Sequence, residues 1–556
     1  MSIELKNKCV FILGAGQIGT AVAVQLLKSR PKRIVLHTYT PEEANEAVDK
    51  LKAMNCDGIQ IIASSGDIFL PYSMKDITDK EKLHSEENIY KLLNYYYSEP
   101  YPELLREYSI YMLIKRWKPD IIIDAINTAT VFGDDCKEHI NYIKNNFETN
   151  IGNRSEQIKS VFTQYLSDNF VPKLIHFVMS LKVGIEDFNI KKYIKVSTTG
   201  LGGMGMNLRF SHGDTVNYCL SNAIVGKVAA AGMLHQLLLS LSHTPGFDIS
   251  VIVPAACVGW EETALNVVEN SLGKIRAVDS SKKKFALDEE IEAYGTINEG
   301  EFLKIPLVYA GENKSYSLCE IATLTAYGQM ESVTKEEVAE AVINNIEGAC
   351  SKDLLAQMDL ACIHSSYKGR RVRDITLHKL KDIEDKSDIP SIVTGNLGPT
   401  TAKHICELYL LKRASDNSIT KLLSMDICEL KERVHNEVLN NKSIRVQFLS
   451  VGLPIVMDNE NILIGEKWMV PEENEDFRMT SDNIESWARK GWVDLRDKNI
   501  LKWKKEVIKL LNDAERERKS GDISLVRDIY AINDDFDVGE LLAYYYTLKG
   551  AGRRAI

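Results

Sequence analysis

Six short apolar runs punctuate the first half of the chain, at residues 9–13, 33–37, 58–63, 119–125, 192–197 and 246–254. Between them lie stretches with apolar residues at helical spacing, at 20–27, 41–54, 88–117, 169–183 and about 218–241. Nearly continuous apolar runs suit strands covered on both faces, and strands that alternate with helices predict an α/β fold with a doubly wound parallel sheet. Residues 311–326 read as a further strand edge and 334–346 as a closing helix. From about residue 351 the texture changes. Helices are expected at 354–364, 400–412, 422–439, 482–490 and 500–514, with short strands at 443–450, 454–456 and 462–464. The pattern therefore predicts a sheet domain over 1–345, including substrate-binding insertions, and an α-rich α+β domain of unassigned role over 346–556.

The first strand runs directly into Gly14-Ala15-Gly16-Gln17-Ile18-Gly19, a G-x-G-x-x-G spacing that opens the first helix. The first glycine makes the turn, the second lets backbone approach a pyrophosphate, and the third lets helix and strand sit close. The helix N-terminus offers N–H groups and partial positive charge to the phosphates. Gly14, Gly16, Gln17, Ile18 and Gly19 are thus expected to bind a dinucleotide on a Rossmann-like sheet. A site selective for NAD usually carries an acid at the end of the second strand. Here that place offers His37, Thr38 and Tyr39, with no carboxylate before Glu42. Thr38 becomes the candidate ribose contact, and the missing acid slightly favours NADP over NAD. Arg33 lies too early in its strand to clamp a 2′-phosphate. Asp67, just after the third strand, is placed to reach an adenine amino group or to serve as a loop residue. Asn127 lies in the polar turn after the fourth strand, where such sheets bind ligands.

Net charge is −10, so general nucleic-acid binding is not expected. The ten cysteines form no C-x-x-C pair, which points to reduced core thiols and no metal site. No apolar run approaches the length of a membrane span, and the polar residues 1–8 leave no room for a signal peptide. A cytoplasmic protein with a small-molecule substrate, and neither nucleic acid nor membrane as partner, is the expectation. The tyrosine- and leucine-rich segment 88–117 is a candidate subunit contact in a homo-oligomer.

Further pieces fall in order: Gly66-Asp67 after the third strand, Pro119-Asp120 into the fourth, Val196-Ser197-Thr198-Thr199 on the fifth, Tyr218 opening a helix, and a strand ending at Pro254. Together with the glycine motif, this order resembles the extended, epimerase-like branch of the short-chain dehydrogenase/reductase superfamily over about residues 1–345. The resemblance implies Tyr218 as acid or base, Thr199 or Thr198 as its hydroxyl partner, and Pro254 beside the cofactor. It also implies a lysine four residues after the tyrosine, where this chain has Asn222. Lys227 is nine residues on, about 180° around a helix from Tyr218, and so points away. Either Asn222 binds the ribose without tuning the phenol, or another base (Lys195, Arg209 or His212) supplies the field, or the site binds cofactor without the usual chemistry. The implied activity is NAD(P)-dependent oxidoreduction at a hydroxyl or carbonyl of a polar small molecule. Epimerase or dehydratase chemistry and a non-catalytic cofactor binder are the alternatives.

The glycine-rich loop 200–205 lacks a Walker lysine and reads as a substrate lid, with His212 and Asp214 as polar substrate contacts or turn formers. In the second half, 491–496 reads as a packed connector or a segment facing the site. The tail at 550–554 is a flexible basic terminus or a phosphate contact.

Overall fold

The structure is a computed structural model, and it describes residues 3–54, 56, 58–77, 85–128, 169–197, 222–254, 260–270, 273–280, 283–284, 297–310, 315–326, 333–348, 362–363, 367–465, 478–519 and 534–548. These residues form two compact units. The first holds the described parts of 1–202, 222–257 and 332–366, and the second those of 258–331 and 367–556.

In the first unit, β1 (Cys9–Leu13), β2 (Arg33–Thr38), β3 (Gln60–Ser65), β4 (Ile121–Asp124), β5 (Lys192–Val196) and β6 (Asp248–Pro254) join one sheet. The short strand Cys362–Ile363 adds a seventh member. The order is Cys362–Ile363, β6, β5, β4, β1, β2, β3, and every neighbouring pair is parallel. The chain moves outward from β1 to β3, then returns to lay β4 on the other side of β1. That reversal leaves a crevice at the carboxyl ends of β1 and β4, the place where such sheets receive ligands.

Alternation along the strands explains the two covered faces. Phe11, Leu13, Val35, Ile122 and Tyr193 share one buried cluster with Leu113, Ile114, Phe177 and Leu181. Those last four lie on the helices Ser109–Trp117 and Phe170–Phe188. Val10, Ile12, Ile34, Leu36, Ile123 and Ile194 share the other cluster with Val22, Leu26, Leu51, Val338 and Val342. These come from α1 (Gln17–Lys28), α2 (Pro41–Lys52) and the helix Lys335–Glu347. At the opposite edge from the crevice, Asp120 accepts from the Cys9 N–H at 2.8 Å and from Lys8 Nζ at 3.1 Å, which pins the start of β4 to β1. Thr40 caps α2 in a reciprocal pair with Glu43, as its position predicts. Segment 88–117 forms three helices, Glu86–Tyr97, Pro102–Leu105 and Ser109–Trp117, because Pro100 and Pro102 break the run.

The second unit departs from the expected boundary at 345. Strand Lys304–Ala310 pairs antiparallel with Trp260–Val267 and with Ser315–Tyr316. Its Ile305, Leu307 and Val308 are buried in the same core as Ile405, Leu408, Phe448 and Leu542. The described parts of 260–326 therefore pack with the C-terminal half, and the helix Lys335–Glu347 and the strand Cys362–Ile363 return to the first unit. There, the Ile3 N–H and Lys192 Nζ donate to carbonyls near that helix's end, at 2.8 and 2.7 Å.

Local readings also change. Residues 318–326 are a helix, Leu318–Ala326. Of the helix expected at 354–364, the described residues contain only the strand Cys362–Ile363. The stretch expected as one helix at 422–439 divides into Ile419–Ser424 and Ile427–Asn440, where Asp426 caps the second by accepting from the Cys428 N–H. Residues 443–450 alternate like a strand but form the helix Lys442–Ser450. Tertiary contacts override the local preference: Asn441 caps it, Arg445 forks onto Asp279, and Gln447 bonds Pro390 O and the Ile392 N–H. Segment 491–496 is a packed connector. Its Val493–Asp494 pairs with Ile455–Val456, Trp492 is buried, and Arg496 is held by Asp494 and Glu485.

Among the described residues, no helix is long and apolar enough to cross a membrane, and no group of His, Cys, Asp and Glu is arranged to hold a metal ion.

Candidate functional site

The turn from β1 to α1 forms the floor of the crevice. Gly14 sits at φ +83°, a left-handed conformation that favours glycine, and its N–H donates to His37 O at 2.8 Å. A Cβ there would lie 2.9 Å from Ile126 N, so the turn after β4 presses directly on it. A Cβ on Gly19 would meet Gly14 O at 1.9 Å, which is why the helix can start so close to the strand. Gly16 differs. It is the N-cap of α1, no side chain caps that end, no acid lies in the first turn, and a Cβ there would have no neighbour within 4 Å. Gln17 and Ile18, the first two residues of the helix, are half-buried beside it. The outcome is an open helix N-terminus over backbone that a large anionic group can approach closely.

The end of β2 offers less than the sequence suggests. Thr38 is buried and donates its hydroxyl to Thr40 O at 2.6 Å. His37 is buried, with Nδ1 against Ser64 Oγ at 3.0 Å and Nε2 against Gly66 O at 2.9 Å. Burial lowers its pKa to about 4, so the ring is neutral. The Arg33 guanidinium donates to Trp117 O and to Cys9 Sγ. Asp67 is half-buried, and its Oδ1 accepts from the Phe69 N–H at 2.9 Å. That bond fixes the loop beside β3 and leaves the carboxylate at the crevice's β3 end.

Sequence reasoning missed the densest polar group in this unit. Asp124 ends β4, and Lys195 stands opposite it in register on β5. Their side chains are 2% and 1% exposed and meet at 2.9 Å. Tyr193, two residues before Lys195 and on the same face, donates its hydroxyl to Asp124 Oδ2 at 2.5 Å. Burial, then the neighbouring carboxylate, pushes the Tyr193 phenol well above its ordinary pKa, so it stays a donor. Lys195 Nζ also donates to Ile126 O at 2.7 Å and to Thr128 Oγ1 at 3.3 Å. Asn127 lies between these two, half-buried. The available signal was a lysine and an aspartate interrupting strands that are otherwise apolar. Lys195, considered above as a source of field for Tyr218, is committed to three bonds, to Asp124, Ile126 O and Thr128.

Two residues after Lys195, Ser197 Oγ meets Nε2 of His235, which lies on the helix Asn222–Ser240. Burial, aided by the Lys195 charge, lowers the His235 pKa. Tyr218, Thr198 and Thr199 lie outside the described residues, as do loop 200–205, Arg209, His212, Asp214 and the tail at 550–554. Asn222 is the first residue of its helix. Pro254 ends β6 in register with Ile363. The structure thus brings together Gly14, Gly16, Gly19, the 125–128 turn and the end of β2, with Asp67 at the flank.

Residues 274–550 match the family model described as the Beta-methylindole-3-pyruvate reductase C-terminal domain. A search of curated proteins found no match. Among solved structures, Pen from Bacillus thuringiensis aligns at 12% identity over 45% of this chain and 51% of that one, with a TM-score of 0.22. The chain therefore spans about half of that protein's length. L-sorbose reductase from Gluconobacter frateurii, solved with NADPH and L-sorbose, aligns at 15% identity over 46% and 71% of the two chains, with a TM-score of 0.24. A short-chain type dehydrogenase/reductase from Mycobacterium ulcerans aligns at 10% identity over 65% and 88%, with a TM-score of 0.29. Over residues 274–550 the chain is thus similar to the C-terminal domain of a reductase.

Proposed function

We propose that this protein is an NAD(P)-dependent reductase acting on a carbonyl of a polar small molecule, with an aryl-substituted 2-oxo acid as the substrate class. The observation that carries the cofactor is the uncapped start of α1 at Gly16, which has open space where a side chain would stand. The match of residues 274–550 to a domain named for a 3-pyruvate reductase supports the reaction and the substrate class. Gly14, Gly16, Gln17, Ile18 and Gly19 would hold the pyrophosphate. Asp67 would flank the adenine, and Asn127 would lie beside the nicotinamide half, with Pro254 on the far wall. The bound nicotinamide supplies the hydride. Tyr218, with Thr199 or Thr198, would donate the proton to the carbonyl oxygen, and Asn222 would contact the ribose. With no carboxylate at the end of β2, NADPH is favoured over NADH.

The absence of a lysine four residues after Tyr218 supports a second reading, a cofactor-binding protein without turnover. One experiment separates the two. Purified chain is titrated with NADPH and with NADH by fluorescence, then assayed for loss of reduced nicotinamide with indole-3-pyruvate, other 2-oxo acids and nucleotide sugars. A reductase should turn over a 2-oxo acid. Tyr218→Phe should lower kcat by roughly 100-fold or more while leaving cofactor affinity unchanged. Turnover that survives Tyr218→Phe removes the proton role. Binding without turnover on any substrate favours the second reading, and turnover only on nucleotide sugars favours epimerase or dehydratase chemistry.

A further inference from the structure

We propose that Lys195 is a positioning residue for the cofactor site: it clamps the 125–128 turn so that this turn forms a fixed wall of the crevice. The inference rests on the dinucleotide reading above.

The argument begins with chemistry that packing alone does not require. A lysine and an aspartate in register on the two central strands could be replaced by apolar residues, since burying such a pair gains little stability over well-packed hydrocarbon. Here the ammonium does more than pair. It has three donors, and the structure gives it three acceptors: Asp124 Oδ1, Ile126 O and Thr128 Oγ1, while the Tyr193 hydroxyl, bonded to the other oxygen of Asp124, fixes that carboxylate's orientation. Two of the direct contacts fall on the turn itself, on either side of Asn127.

The same turn is tied down at its other end. The Ala125 N–H donates to Leu13 O at 2.8 Å, and the Ile126 N–H donates to Asp124 Oδ1 at 3.0 Å. Ile126 N then rests 2.9 Å from the place a Cβ of Gly14 would take. Asp124 Oδ1 therefore receives both Lys195 and the turn's own amide, while Oδ2 receives Tyr193. A continuous set of contacts runs from Lys195 on β5, through the turn after β4, to the glycine turn after β1. Loss of the ammonium would leave Ile126 O and Thr128 Oγ1 with only the bonds they make to each other and to the Thr128 N–H inside the turn, cut the turn from β5, and leave Asp124 buried with one charge uncompensated.

A positioning role and a purely structural one differ in what a double variant does. Lys195→Met leaves a buried charge and is expected to lower both stability and cofactor affinity. Lys195→Met/Asp124→Asn removes the uncompensated charge but does not restore the donor to the turn. Full-length chains carrying these changes, together with Thr128→Val, should be compared by thermal unfolding and by NADPH and NADH titration. The double variant is expected to recover most of the lost thermal stability while its cofactor Kd stays at least about tenfold above that of the unaltered chain. Thr128→Val, which leaves the ion pair intact, is expected to raise the Kd several-fold with little change in unfolding temperature. A double variant and a Thr128→Val variant that both bind as tightly as the unaltered chain would overturn the proposal and reduce Lys195 to a buried ion-pair partner. If the unaltered chain binds neither dinucleotide, the cofactor reading itself falls and takes this inference with it. If Lys195→Met does not fold, the other two variants decide the outcome.

Discussion

The three glycines of the first turn look alike in the sequence but have separate physical duties. Gly19 is excluded from carrying a side chain by Gly14 O, whereas Gly16 faces open space. Gly19→Ala should therefore cost about 2–3 kcal/mol of stability through overpacking. Gly16→Ala should cost less than about 1 kcal/mol, since an N-cap position tolerates the change at that level. Its effect should fall on cofactor Kd, which should rise roughly tenfold. Denaturant unfolding and cofactor titration of both variants check this, and equal stability losses would refute the division. The motif was legible because its spacing is local and each glycine answers to residues within a few positions. The Asp124–Lys195 pair was not, because its partners lie 71 positions apart and meet only when β4 and β5 align. Thr38 shows a third case. Its place at the strand end was read correctly, but its hydroxyl is spent on Thr40 O, a bond that pattern alone does not predict.

Elements in this sheet are joined by more than backbone ladders. His37 stands opposite Ser64 in the β2–β3 register and links β2 to Ser64 and to the Gly66 carbonyl. Its depressed pKa makes this link pH-dependent. In the unfolded chain the ring titrates near 6.5, and in the folded protein near 4. Below pH 6.5 the unfolded state takes up a proton that the folded ring does not, so stability is full above that value and declines as pH falls toward 4. The shift corresponds to about 3 kcal/mol once both states are protonated. Lys75 adds to the depression, while the Gly66 bond, Asp67 and Asp76 oppose it. Urea unfolding at about pH 7.5 and at about pH 4.5 should show a smaller loss for His37→Asn than for the unaltered chain. Equal losses would show that the ring is not held neutral. Element types in this half were readable because strands buried on both faces have few other identities. In the second half, Lys442–Ser450 alternates like a strand and is a helix, since partners as distant as Asp279 decide it.

At the scale of the whole molecule, the division of the chain was the least legible feature. Pattern along the sequence reports where an element begins, not which core it enters. The run at 304–310 read as part of the first domain, yet Ile305, Leu307 and Val308 pack with Ile405 and Phe448. A fragment ending at residue 345 should therefore carry an apolar sheet with its covering helices removed. Expressed alone, it is expected to bind a hydrophobic dye and to unfold without a sharp transition. A cooperative transition matching that of the full chain would refute this. A pair of fragments cut at 345 should also fail to behave as two independent domains, because the sheet unit would lose the strand Cys362–Ile363 and the C-terminal unit would lose its antiparallel strands.

The return of Lys335–Glu347 and Cys362–Ile363 to the first sheet has a consequence for the order of events during synthesis. The ribosome releases β1 to β6 well before the helix Lys335–Glu347, which packs on β5 and β6. Between them it releases 260–326, whose partners at 399–414 and 442–450 do not yet exist. Neither core can close as its own segment emerges. Both must wait for later residues, with apolar strands unpartnered in the interval. Such contacts across long stretches of chain slow folding and expose it to aggregation. Yield in a cell should accordingly depend on chaperones that hold nascent strands, and slower elongation through residues 260–326 should lengthen the vulnerable period rather than help it.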